Sequence, residues 1–174
     1  MTSSSWKRHL RTINSVYSIH KRGRRSMPLI LLKDADFRTI DPKHDDPMVV
    51  TIKVANFVVI KMLIDQGSFI DILYWKTFKK MALSQDVVEP FNEQIVGFAG
   101  ERVNTRGYID LDTKFDKDND FCKIIRIRYL LVDAETSYNI LIGRTTLNKL
   151  GAIVSTPHLA MKFPLTVEAE VGRS

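Results

Sequence analysis

The chain has 174 residues, 44% of them hydrophobic and 26% charged, with one Cys and no apolar run approaching the roughly 18 residues a membrane span needs. These figures exclude a helical membrane protein, a disulfide scaffold and a multi-Cys zinc site, and they leave room for one hydrophobic core rather than two. Seven of the 26 Lys and Arg (Lys7, Arg8, Arg11, Lys21, Arg22, Arg24 and Arg25) fall in residues 1–25, which hold no acid, so the +6 net charge belongs to that segment. A stretch this basic and Ser-rich cannot bury enough surface to offset its ordering entropy, so residues 1–33 read as a disordered tail or linker. Its charge suits weak electrostatic RNA binding through residues 1–25, and its lack of acids suits an organelle transit peptide. Lone Cys122 is compatible with a reducing compartment, so a cytoplasmic location is expected, with no membrane partner.

From Pro42 onward, short β-branched apolar runs alternate with turn residues, the texture of an all-β domain. Met48 to Ala55 reads as a strand, Asn56-Phe57 as a turn, and Val58 to Ile64 as a second strand ending in the polar loop Asp65-Gln66-Gly67-Ser68. Ile72, Trp75, Phe78 and Met81 recur every third residue, which predicts a short helix over 70–81 with one buried stripe. Gln94 to Phe98 and Val103 to Phe115 read as two strands joined by a Gly-flanked tip that could act as a lid. Phe121 to Val132 follows as a long strand with Arg126 and Arg128 on one face. The continuous run Asn139 to Gly143 predicts a strand buried on both sides, and Arg144 to Leu150 a helix closed by Gly151. Leu159 to Phe163 supplies the last strand.

Most candidate chemistry is excluded on spacing. His9, His20, His44 and His158 are scattered, without the i, i+4 spacing or neighbouring Cys of a transition-metal site, so no metal or cofactor is expected. Asp116 to Asp120 imitates the start of a calcium loop, but Phe121 occupies the position of the turn Gly and Ile127 that of the bidentate Glu, so this stretch reads as a solvated hairpin tip. Nucleophile elbows, phosphate-cradling loops and dinucleotide fingerprints are missing from the sequence. Asp65 is different, because the apolar strand Met62-Leu63-Ile64 delivers it and Gly67 and Ser68 follow. A carboxylate at the end of a buried strand is not there for packing; Gly permits close backbone approach, and the Ser hydroxyl is expected to hold a carboxylate oxygen. Asp-x-Gly-Ser suits an aspartic peptidase, in which two carboxylates about 3 Å apart cannot both ionise, share a proton and hold one water as acid and base. By itself the tetrapeptide is weak evidence, and a strand-end Asp capping a turn is the readier reading of it.

Several longer stretches add to it: Asp45-Asp46-Pro47-Met48-Val49-Val50, Leu63 to Ser68 running into Asp71-Ile72-Leu73-Tyr74-Trp75, Gly97-Phe98-Ala99-Gly100, Tyr138 to Arg144, Leu147-Asn148, and Ser155 to Leu159 followed by Lys162-Phe163-Pro164. In these the chain resembles the retropepsin-like protease region of plant gypsy-type retrotransposon polyproteins. The resemblance implies an all-β, closed β-barrel acid-protease fold with one or two short helices and a flap hairpin, over residues 34–165. Beyond it, residues 166–174 form a divergent tail. It further implies that Asp65 is the catalytic carboxylate, that Gln66, Gly67 and Ser68 support it, that Gly97, Phe98, Ala99 and Gly100 lie at the substrate-covering flap, and that Ile142, Gly143 and Arg144 form the second element bracing the active loop. Gln66 departs from the usual Thr or Ser, and Phe69 from a usual small residue. An Asp71–Arg144 ion pair is an expected further brace.

Only one Asp-x-Gly-[Ser/Thr] occurs, so one chain holds half a site. A two-fold homodimer would bring two Asp65 carboxylates together, since a residue on the axis of an isologous interface meets its own copy. The expected activity is aspartic endopeptidase action on an extended peptide or polyprotein. Two other readings stay open: an inert retrotransposon-derived remnant serving as a dimerisation or peptide-docking module, and a nucleic-acid-associated protein driven by the basic tail.

Overall fold

The computed structural model describes residues 28–37, 45–92, 95–96, 100, 102–118 and 121–164. The expectations for the tail at 1–25 and for 166–174 lie outside these residues, as do Gly97, Phe98 and Ala99.

Alternating apolar residues make β1 (Val49–Val54) and β2 (Phe57–Ile64), which pair antiparallel around a turn where Ala55 takes φ 49°. Four more strands close a six-stranded barrel. They are β3 (Asp71–Tyr74), β6 (Thr105–Asp118), β7 (Phe121–Val132) and β8 (Ile140–Ile142), and the circular order is β1-β2-β8-β3-β7-β6. The short strands β4 (Ile95–Val96) and β5 (Arg102–Val103) pair antiparallel outside the barrel, and β9 (Ile153–Ser155) pairs with β10 (Ala160–Lys162). Two short helices complete the fold, α1 (Trp75–Lys80) and α2 (Arg144–Leu150). Gly151 closes α2 in the left-handed conformation at φ 65°, a cap that Gly adopts at little steric cost. No helix among the described residues is long and apolar enough to cross a membrane.

The helix expected over 70–81 is half strand. Asp71–Tyr74 is β3, parallel to β7 and antiparallel to β8, and only Trp75–Lys80 is helical. Two barrel neighbours supply ladder hydrogen bonds on both sides of this tetrapeptide, and this tertiary pairing overrides a local period-three pattern. The strand expected from Val103 to Phe115 also divides: β5 belongs to the outer hairpin, and β6 joins the barrel after a register shift between Thr105 and Gly107. The sequence reading missed β9, whose three residues are too few to show a period.

Every β8 side chain is buried, as its unbroken apolar run requires between β2 and β3. Ile140 and Ile142 join Val54, Met62, Leu73, Phe78, Phe115, Ile127, Leu131 and Leu150 in one core. Within it, the Tyr129 hydroxyl meets the Thr113 hydroxyl at 2.9 Å, and burial pushes the phenol pKa up, keeping it neutral. The outer pleat of the β6–β7 hairpin is polar. Arg128 makes two 2.9 Å bonds to Asp110 and holds its carboxyl below the usual range, and Arg126 lies 3.8 Å from Asp112. Before the barrel, Lys162 ties the chain to β10 by binding Asp36 at 2.5 Å and the Leu31 carbonyl at 2.9 Å.

Tyr129→Phe removes one buried hydrogen bond while preserving shape. It should lower unfolding free energy by about 1 kcal/mol with an unchanged m-value in urea titration, since the surface exposed on unfolding is the same.

Candidate active site

Strand β2 runs parallel to β8, with Ile64 opposite Ile142, so both strands end at the same level of the barrel. Asp65 is the first residue beyond β2, and its backbone N–H donates to the Ile142 carbonyl at 2.9 Å, extending the ladder by one bond. The chain then turns sharply. Asp65 Oδ1 accepts from the Gly67 N–H at 2.8 Å and the Ser68 N–H at 3.3 Å, so the carboxylate caps its own loop. A Cβ on Gly67 would sit 3.1 Å from that oxygen, a tight approach that the bare Cα avoids. Asp65 is half-buried, and Gln66 and Phe69 are exposed, Phe69 to 67%. The carboxylate therefore has one oxygen engaged by the loop at the barrel end.

Ser68 acts differently from expectation. Its backbone N–H, not its hydroxyl, reaches Asp65; the hydroxyl donates to the Ile70 carbonyl at 3.0 Å and accepts from the Ile70 N–H at 3.2 Å. A Ser hydroxyl bonds readily to backbone two residues on, and the compact turn offers that partner first.

The β8–α2 junction braces this loop from behind. Arg144 donates its backbone N–H to the Ser68 carbonyl at 2.7 Å, and the Thr145 hydroxyl donates to the Phe69 carbonyl at 2.6 Å. Gly143 sits against the loop so closely that a Cβ there would lie 2.5 Å from the Ile70 carbonyl oxygen and 2.9 Å from that of Ser68. Only a residue without a side chain fits there. Ile142, Gly143 and Arg144 thus contact the loop through backbone atoms.

Asp71 does not pair with Arg144. At 4% exposure, its Oδ1 accepts from the Gly143 N–H at 2.8 Å and its Oδ2 from the Thr146 hydroxyl at 2.8 Å, while the Arg144 side chain is exposed and makes no ion pair among the described residues. An exposed guanidinium would forfeit hydration to reach a carboxylate already served by two neutral donors. Burial pushes the Asp71 carboxyl pKa up; the Gly143 and Thr146 bonds and the Lys149 charge pull it back only in part.

Tyr74, with Thr136 and Tyr138 beside it, was not singled out by the sequence reading. The Tyr74 phenol pKa is pushed up, first by burial and then by the Asp65 carboxylate and Tyr138, against a lowering hydrogen bond from Thr136. The Tyr74 N–H also donates to the Asn139 carbonyl at 3.3 Å, and Tyr74 pairs with Val132, so it closes both ends of the connection 133–139. Tyr74 and Tyr138 stood inside the Asp71–Trp75 and Tyr138–Arg144 blocks, and Thr136 in neither. Gly100, at φ 83°, is exposed in the connection between β4 and β5. No group of three or more His, Cys, Asp or Glu among the described residues is arranged to hold a metal ion. His158 instead bonds Ser155 at 2.7 Å and stacks on Phe37. A groove of about 620 Å³ opens elsewhere, between β1 and β10, and includes no residue of the Asp65 loop.

The retroviral protease-like domain of Ddi1 from Leishmania major is similar to this chain, with a TM-score of 0.51 and 14% identity over 72% of this chain and 98% of that one. This is an acid-protease fold. A retropepsin-like aspartic protease from Rickettsia conorii is also similar, with a TM-score of 0.47 and 14% identity over 67% of this chain and 82% of that one; at that score it adds no weight. No family model and no curated protein matches the sequence. At 14% identity the first likeness establishes the all-β barrel architecture.

Two predictions test the braces. Gly143→Ala should destabilise the protein by about 1–3 kcal/mol through overpacking, measured by urea denaturation. For Asp71 the raised folded-state pKa fixes the sign: the native state binds more protons than the unfolded state, so its stabilising contribution is full below the ordinary carboxylate range and declines as pH rises through the raised value. The unfolding free energy of wild type minus that of Asp71→Asn should therefore fall with rising pH. A difference that rises with pH would refute the assignment.

Proposed function

We propose that the chain is an aspartic endopeptidase of retrotransposon polyprotein type, active as a homodimer with one Asp65 from each copy. The observation that carries this reading is the Asp65 loop itself. A half-buried carboxylate at the end of a barrel strand is capped by the N–H groups of Gly67 and Ser68 and braced from behind by Gly143, Arg144 and Thr145. Such bracing is the preorganisation a catalytic carboxylate needs, because a group held by its neighbours loses little freedom on reaching the transition state.

In the dimer two such carboxylates face each other across the axis and share one proton. One removes a proton from the water between them as it attacks the scissile carbonyl, and the other donates its proton to the carbonyl oxygen; the carboxyl that took the water's proton then gives it to the leaving amine nitrogen as the C–N bond breaks, without a covalent enzyme intermediate. The β4–β5 hairpin, with Gly97, Phe98, Ala99 and Gly100 in its connection, covers the extended peptide. The sequence blocks from Asp45 to Pro164 support the retrotransposon assignment, and the acid-protease barrel supports the reaction class.

Purified protein should cleave members of a mixed peptide library at mildly acidic pH and sediment as a dimer. Asp65→Asn should lower kcat/KM by on the order of 10³-fold or more while leaving the melting temperature close to wild type. Cleavage retained in Asp65→Asn, or a wild-type protein monomeric at every concentration, would refute the proposal. A dimer that binds extended peptides without cleaving them would instead identify an inert docking module of the same fold.

A further inference from the structure

We infer that Arg106 is a positioning residue that holds the β4–β5 hairpin at a fixed angle to the connection 133–139. Its link to substrate rests on the proposed reading of that hairpin as the flap.

The hairpin returns to the barrel through Asn104, Thr105 and Arg106. Thr105 pairs with Val132 and Gly107 with Leu131, so Arg106 is the extra residue of a bulge between two ladder positions. A bulge re-aims the side chain it carries. Gly107 makes this one feasible, because it takes φ 126° and a Cβ there would lie 2.4 Å from the Glu89 carbonyl oxygen. The adjacent Tyr108 exchanges two 2.9 Å backbone bonds with Glu89, which anchors the inner side of the root.

On the other side the re-aimed guanidinium bridges two elements. Arg106 Nη2 and Nε lie 2.6 and 3.2 Å from Asp133 Oδ2, and the guanidinium carbon lies 5.4 Å from the Trp75 ring centroid. Asp133 also donates its N–H to the Asn104 carbonyl at 3.0 Å, so the same residue grips the root twice. Asp133 opens the connection 133–139, and Trp75 follows Tyr74, whose pairing with Val132 and bond to the Asn139 carbonyl hold both ends of that connection. A half-exposed ion pair contributes little stability. Its effect is geometric: one planar cation joins hairpin root, connection and α1, and Lys, a point charge without the fork, reproduces only part of it.

The test uses the full chain with Arg106→Ala, Arg106→Lys and Asp133→Asn. Hydrogen exchange gives the readout independent of activity. Amides of Val96 and Val103 should exchange about tenfold faster in Arg106→Ala, with intermediate rates in Arg106→Lys, while β7 and β8 amides keep wild-type rates. In peptide cleavage, KM should rise about fivefold to tenfold with kcat within twofold of wild type. Hairpin exchange unchanged in Arg106→Ala would overturn the inference, as would faster exchange with KM unaltered. A wild-type protein that cleaves no peptide would bring down the proposed function instead, and the exchange rates would still decide whether Arg106 holds the hairpin.

Discussion

The buried carboxylate of Asp71 joins the two halves of the barrel end. It lies at the start of β3, and its two oxygens hold the Gly143 N–H and the Thr146 hydroxyl, so the start of one strand is fastened to the junction of β8 with α2. That junction in turn carries the three contacts that brace the Asp65 loop: the Arg144 N–H, the Thr145 hydroxyl and the bare Cα of Gly143. A carboxylate this deep is costly to desolvate, and its raised pKa records that cost. The cost is offset by two donors that would themselves be unsatisfied without it, which is why a polar group rather than an apolar one occupies the position.

The barrel converts this local fastening into a site. Because β2 and β8 are parallel and adjacent, the residue after each strand emerges at the same rim, and Asp65 and Gly143 become neighbours although 78 positions separate them. Parallel strands leave no room for a tight connecting turn, so the intervening chain must travel around the barrel through β3, the outer hairpin and β6–β7 before returning. That route also carries the connection 133–139, which Arg106 and Asp133 tie to the root of the outer hairpin. The polar lattice of Asp110, Arg128, Asp112 and Arg126 lies on the outer pleat of β6–β7, where solvent screens it, and serves the surface rather than the rim.

Much of this was legible residue by residue. The all-β texture, the extent of β7, the fully buried β8 and the Gly151 stop of α2 follow from alternation, an unbroken apolar run and a cap preference, each of which acts over a few neighbouring residues. Asp65 stood out because an apolar strand delivered a charge followed by Gly. Two of the misreadings share a cause: Asp71–Tyr74 looked helical from its period and Asp71 was given the wrong partner, because both outcomes depend on atoms brought near from 58 to 75 positions away. Ser68 differs, since its hydroxyl takes a backbone partner only two residues on in place of the carboxylate.

The sequence by itself determined the strand texture, the single Asp-x-Gly-Ser loop and the confinement of excess positive charge to residues 1–25. The tertiary structure alone decided that the loop is braced by backbone from the β8–α2 junction, that Asp71 serves Gly143 and Thr146, and that a bulge turns Arg106 toward Asp133 and Trp75. The division is physical. Periodicity and turn chemistry are properties of adjacent residues, whereas hydrogen-bond partners across a closed barrel are set by strand order and register, which no short stretch of chain encodes.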